Sequence, residues 1–477
     1  MTSSVSTFKL PWAREAFPAV GPLEAYLVGG SVRDLLLGRR PFDLDLAVAG
    51  DPAAFARRLA ARTGGRLIPL GKPGLMLYRV VSGHGVMDVA AIAGGGISQD
   101  LHRRDFTINA LAVDAATGRF IDVCGGLADL TAGRIRMVSP LAFERDPVRL
   151  IRTFRMAAVL GFAVDPDTAA AVGEKAALIA QPAGERVRAE LLKILDTHRA
   201  AHALVQMAAC GLLAAMFPEL AALRGERLAH SLTAISELEN LLDQPQNLIP
   251  DGIAPAVWSP SSLPAGLLKS ALLLHELGRP SLNRHDHRRS GKPAVKNDAV
   301  TAIAARLMLS NRQARYLDII TRGHRQPLYL FTAHRRRRLS SRALSHFLMT
   351  SAGKAPDLMF HAAADTAAAA GGGKQFQAFA GFAHDVLHRY FSEFLPRRSL
   401  PPLLTGRDLM ELLGLTPAPF FKFVLARIET ERLAGRLNTK DEAITRAKKL
   451  LRDHPTLTPP QPRDGPATAQ SMSRRQP

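Results

Sequence analysis

Residues 26–50 read YLVGGSVRDLLLGRRPFDLDLAVAG, and few folds accommodate that order. An apolar run of strand type leads into a double glycine, then a helical stretch. A second apolar run follows, carrying two aspartates one residue apart. On a strand, residues i and i+2 share a face. Asp43 and Asp45 therefore stand on one side while Leu44, Leu46 and Val48 pack on the other. Two carboxylates held that close repel each other unless a cation lies between them. Hard divalent ions such as Mg²⁺ take oxygen ligands and share them with substrate phosphates. For the pair taken alone, an exposed strand face with two solvated acids is the plain alternative.

The neighbours favour the metal. Gly29-Gly30 precedes a short helix that Gly38 can terminate. Free backbone N–H groups at such a start suit a phosphate, and Arg33 supplies a cation nearby. A double glycine alone is only a tight turn; the combination with Arg33, Asp34, Asp43 and Asp45 says more.

Further along, AYLV, DLDLAV, LMLYRVV, VMDVAA and RFIDV read as strands between glycine-rich turns. Beyond about residue 143 helical periodicity takes over. In FERDPVRLIRTFRMAAVLGF, Asp146-Pro147 fits an N-cap followed by proline at the first helical position. GERVRAELLKIL continues the helical pattern. Residues 242–264 are proline-rich and read as a linker or surface insertion. A basic run, HRRRRLSSR, occupies 334–342, and from Leu404 the pattern predicts two or three short helices. The last twenty or so residues have a disordered composition.

At 477 residues the chain is long enough for several domains. Sparse aromatics with abundant alanine and leucine favour a mainly helical protein. The formal net charge of +20 points to a polyanion such as nucleic acid. An anionic membrane surface competes, but no apolar run is long enough to span a bilayer. Cys124 and Cys210 are the only cysteines, which excludes a disulfide framework and a thiolate zinc site. The first twenty residues lack the apolar stretch of a signal peptide, so a cytoplasmic enzyme or binding protein is expected.

GGSVRDLLLG followed by DLDLAV resembles the nucleotidyltransferase signature of the class II tRNA nucleotidyltransferases (CCA-adding enzymes) and bacterial poly(A) polymerases. The resemblance continues in order through RRDFTINALA (103–112), DVCGGLADL (122–130), DPVRLIRTFRMAA (146–158) and RVRAELLKIL (186–195). It implies an α+β chain: an N-terminal nucleotidyltransferase head with a small mixed sheet over 1–142, and an all-α neck with the nucleotide-recognition helix over 143–222. An HD-like helical body (223–400), a helical tRNA-binding tail (401–455) and a disordered end (456–477) complete it.

By the same resemblance, Asp43 and Asp45 hold two Mg²⁺ ions, with Asp88 of VMDVA a third catalytic carboxylate or an ordinary strand-end acid. Gly29, Gly30 and Arg33 cradle the triphosphate. Arg104 and Asp105 contact the ribose, unless Asp105 simply caps the helix after it, and Asn109 belongs to the same nucleotide site. Asp146 and Arg149, at i and i+3 on one helical face, read the base, unless Asp146 is only the N-cap. Arg152 and Arg155 bind phosphate or solvate the helix. Partners implied are CTP, ATP and the tRNA 3′ end, without a membrane.

Two departures matter. Arg145 stands where many members have glutamate. Only VAAIAGGGISQ joins Asp88 to Asp100, where many CCA-adding members carry a longer flexible loop linked to the switch from C to A addition. The shortening keeps CC-only or A-only addition open. In the helical half, His230, His275-Glu276 and Asp365 resemble in order the H…HD…D pattern of HD phosphohydrolases, with Glu276 in place of the central aspartate. A poly(A) polymerase, an HD hydrolase with an inert head, and a non-enzymatic RNA-binding protein are the rival readings.

Overall fold

The structure, a computed structural model, describes residues 24–72, 75–223, 225–253, 265–278, 298–371 and 373–453. Seven strands form one mixed sheet: β1 (Ala25–Val28), β2 (Asp43–Val48), β3 (Arg66–Lys72), β4 (Leu75–Ser82), β5 (Gly85–Ala91), β6 (Leu111–Asp114) and β7 (Phe120–Asp122). Their order is β3-β4-β5-β2-β1-β6-β7. β2 and β5 run parallel, and every other neighbouring pair is antiparallel.

All five strand-type runs of the sequence lie in this sheet. The two strands without a sequence signal are β3 and β6. RLIPLGK carries Pro69 and Gly71, which break a strand pattern, yet β3 is an edge strand where a missing N–H is tolerated. β6 is only four residues long.

Between β1 and β2 lies α1 (Gly30–Leu36); Gly38, at φ 69°, follows its end in the left-handed conformation, as the sequence predicts. α2 (Pro52–Thr63) begins at Asp51, whose carboxylate accepts from the N–H groups of Ala53 and Ala54. Its residues Phe55, Ala56 and Leu59 pack on Leu27, Leu46 and Val48, with Leu44 at the margin. The opposite face is covered where Tyr26, Val28 and Ala47 meet Leu101 of α3 (Ile97–His102). It opens toward Asp43 and Asp45, both half-buried.

After α4 (Gly126–Ala132) the chain turns helical. α5 (Val148–Leu160) buries Leu150, Ile151 and Phe154 and packs against α6 (Gly184–Leu195) and α7 (Ala200–Ala209). One prediction fails here: α5 starts at Val148 with Pro147 as its cap, and Asp146 makes no side-chain cap bond. Next come α8 (Gly225–Asp243), α9 (Ala265–Leu274), α10 (Asn311–Gly323) and α11 (Ala355–Ala370).

The described residues divide into two compact units. The first contains 24–245, 265–324 and 360–377; the second contains 246–253, 325–359 and 378–453. Within the second, three helices, Gly406–Leu413, Phe420–Leu433 and Lys440–Asp453, bury Leu409, Val424, Ile428, Ala443 and Ala447. Residues 254–264 of the proline-rich stretch and the C-terminal end from 454 lie outside the described residues. No helix among the described residues is long and apolar enough to cross a membrane.

Candidate active site

The register of the sheet brings the acids together. In the parallel pairing of β2 with β5, Asp45 lies opposite Asp88. Residues directly paired share a face, so Asp43, Asp45 and Asp88 gather on the open side. Arg79, opposite Asp88 on β4, grips Asp88 through Nε to Oδ1 and Nη2 to Oδ2, both 2.8 Å. Asp43 and Asp45 form no ion pair among the described residues, and Asp43 Oδ1 is buried with no hydrogen-bond partner. The Asp45 carboxyl is pushed up to about 6. Burial is the main cause; Arg104 opposes it, and the charges of Asp88 and Asp43 add to it. An orphaned oxygen and a destabilised carboxylate on one face are what a cation would relieve, so the residues fit a divalent metal.

The glycine turn lies beside them. Gly29 has φ 69°, and a Cβ built on it would lie 2.7 Å from Arg104 Nη1 and 3.6 Å from Asp45 Oδ2. Ser31, buried in α1, fixes the carboxylate strand. Its Oγ donates to the Asp43 carbonyl at 3.1 Å and accepts from the Asp45 N–H at 2.8 Å. Sequence reasoning passed over Ser31, although a hydroxyl directly after the double glycine was its signal.

The predicted nucleotide residues join one network. Arg33 donates through Nη1 to Asn109 Oδ1 (2.6 Å) and through Nε to Asp34 (2.9 Å). Asn109 Nδ2 donates to Asp105 Oδ1 at 3.0 Å, and Arg152 Nη1 reaches Asp105 Oδ2 at 3.3 Å. Burial raises the Asp105 carboxyl, but Arg152, Asn109 and the Phe106 N–H together hold it below its usual range. Asp105 caps no helix; the following turn, Thr107–Asn109, has Phe106 at its start. Arg104 is fastened by Asp100, and Arg152 and Arg155 both face Glu190 of α6.

Asp146 and Arg149 are close but not paired. Arg186 of α6 holds Asp146 Oδ2 at 2.9 Å, which explains the lost helix cap. Arg149 Nη1 donates to the Arg103 carbonyl at 3.0 Å. Each keeps one buried polar atom without a hydrogen-bond partner, Asp146 Oδ1 and Arg149 Nε. A base edge needs such an acceptor and donor. Arg186 and Glu190 lie inside RVRAELLKIL, yet nothing in one sequence pairs them with residues thirty-five to forty positions away; Asp100 lies between the motifs, four residues before Arg104.

A second cluster lies in the helical part of the same unit. His230 Nε2 stands 2.7 Å and His275 Nε2 3.3 Å from Asp365 Oδ1. The three donors lie within 4.8 Å of one another and could hold a metal ion. Glu276 Oε1 is 3.3 Å from His275 Nε2. The rings of His324 and His361 complete the group, centred 5.5 and 5.2 Å from His275. Burial disfavours the His275 cation, but Asp365 and Glu276 outweigh it and raise its pKa to about 9. His361, fully buried beside that cation, is held neutral. The sequence reading had only His230, His275, Glu276 and Asp365. His361 stood four residues before Asp365, on the same helical face. In the second unit, Arg335–Arg338 are all exposed.

Comparison with known proteins agrees with this geometry. The family model for the poly A polymerase head domain matches residues 25–93 and 78–136. A second, the probable RNA and SrmB-binding site of polymerase A, matches 161–223. An A-adding tRNA nucleotidyltransferase of Deinococcus radiodurans is 34% identical over 438 residues, 88% of this chain and 94% of the relative. A CC-adding tRNA nucleotidyltransferase of Thermus thermophilus is 34% identical over 445 residues, covering 90% and 94%. Among solved structures, a CCA-adding enzyme with CTP has TM-score 0.63 at 20% identity, covering 90% of this chain and 92% of that one. A Thermotoga maritima CCA-adding enzyme complexed with tRNA gives 0.63 at 21%, covering 93% and 95%. At those identities the structural likeness shows the α+β fold.

Proposed function

The chain belongs to the tRNA nucleotidyltransferase family, and on that premise we propose that it transfers CMP and AMP from CTP and ATP, without a template, to the 3′ end of tRNA. The observation that carries this reading is the placement of Asp43 and Asp45. They share one face of β2, with no basic side chain among the described residues paired to either, next to a glycine turn overlain by Arg104. Family members generally depend on a metal. Here Asp43 and Asp45 would hold two Mg²⁺ ions, which supply Lewis acidity at the attacking hydroxyl and the leaving pyrophosphate.

The chain's own residues do the positioning. Ser31 fixes the backbone at Asp43 and Asp45, so both carboxylates face one point. Asp88, gripped by Arg79, sets the charge of the third position. The Gly29-Gly30 turn and Arg33 receive the triphosphate; Arg104, expected at the ribose, joins them because its Nη1 lies over Gly29, and Asp105 with Asn109 receives the ribose. Asp146 Oδ1 and Arg149 Nε offer the acceptor and donor for a base edge, and Arg152 and Arg155 brace that helix through Glu190. In this reading the protein works in the cytoplasm.

A narrower reading has one specific support. The connection from β5 to α3 is short, and the two relatives above are named for adding only A or only CC. Incubation with tRNA ending before CCA, or after CC, with Mg²⁺ and each labelled nucleotide separates the cases by product length. Extension to CCA supports the full reaction, arrest at CC or addition of A alone supports the narrower one, and long A tails on unstructured RNA overturn both. Asp43→Ala and Asp45→Ala are each expected to abolish incorporation while leaving tRNA binding largely intact. Normal incorporation by either variant would remove the assignment.

A further inference from the structure

We propose that Asp100 is a positioning residue that fixes Arg104 for the nucleotide triphosphate and ties it to the short segment 92–96. The proposal rests on the transferase reading above. Asp100 is only 8% exposed, and both its oxygens are used. Oδ2 accepts from Arg104 Nε at 3.1 Å and Nη2 at 2.9 Å; Oδ1 accepts from the Ala93 N–H at 3.0 Å. A guanidinium held at Nε and Nη2 has its plane and direction set. The remaining nitrogen, Nη1, is the one that lies over the Gly29 turn beside Asp45.

An arginine on a free stem loses rotamer freedom when it meets a ligand, and one clamped in advance does not. Asp100 thus turns a flexible cation into a fixed one. The other end of the device is the segment itself. Gly95 N–H donates to Gln99 Oε1 at 2.6 Å, one residue before Asp100 on α3. Segment 92–96 is fastened at adjacent positions of the same helix, so its length and path bear on Asp100 and through it on Arg104.

Asp100→Asn tests this in the full-length protein. The amide keeps an oxygen for the Ala93 N–H but presents an NH₂ donor to Arg104. With tRNA saturating, the KM for CTP (or ATP, whichever is incorporated) is expected to rise about tenfold, the loss of a charge-assisted fork. The KM for tRNA stays within about twofold, and kcat falls less than the nucleotide KM rises. A second variant, two glycines inserted after Gly94, raises the nucleotide KM in the wild-type background and adds little in Asp100→Asn. An unchanged nucleotide KM in Asp100→Asn, equal rises for both substrates, or additive effects of the insertion would overturn the proposal. A wild-type protein that transfers no nucleotide would instead overturn the transferase reading itself.

Discussion

Asp45 shows how much chemistry one side chain can report. Its carboxyl is raised to about 6 against an ordinary 3.8. A raised folded-state pKa contributes stability below the unfolded value, and that contribution is lost as pH rises through the folded one. In metal-free protein the loss therefore falls between about pH 4 and 6, on the order of 2–3 kcal/mol. Thermal unfolding in EDTA should find Asp45→Asn more stable than wild type at pH 7.5 and equal to it at pH 4. Equal stability at both values would mean the carboxylate is not strained. The acids were legible in the sequence because DLDLAV alternates so cleanly. Asp146 was half-legible: of its two readings, base recognition and helix cap, the cap fails because Arg186, forty residues on, takes the side chain. A local pattern cannot show a partner at that distance.

At the scale of elements, the site is a meeting of β1, α1, β2 and the Arg104 turn. Strand pattern and glycine placement made the first three readable, down to Gly38 after α1. β3 was hidden by Pro69, which only an edge position permits. The approach of Arg104 to Gly29 was hidden as well, since seventy-five residues separate them. That approach makes Gly29 exacting. Gly29→Ala would place a methyl 2.7 Å from Arg104 Nη1 at φ 69°. At φ 69° and ψ −135° a non-glycine residue is strained by about 1–3 kcal/mol, and the arginine must also move. The variant should fold, lose roughly that much stability, and show a raised nucleotide KM in steady-state kinetics. Unchanged kinetics would show that the turn is only a turn.

Over the whole molecule, the +20 charge was the first sign of a nucleic-acid partner, and composition alone conveyed it. Such binding should weaken steeply with salt, the logarithm of affinity falling in proportion to the phosphates neutralised. Replacing the four exposed arginines 335–338 with alanine should lower tRNA affinity and flatten that salt slope while leaving the nucleotide KM unchanged. An identical slope in a filter-binding titration would remove this run from the RNA surface. The histidine cluster was legible only as a sparse order of residues. Its full membership, with His324 and His361, needed the packing of several helices.

Divalent cations held between Asp43 and Asp45 are what the proposed transfer cannot do without, and a crystal grown with CTP and Mn²⁺ would reveal them. Anomalous density touching both carboxylates and the triphosphate is the expected result. Density confined to His230, His275 and Asp365, with the β2 carboxylates turned apart, would contradict it.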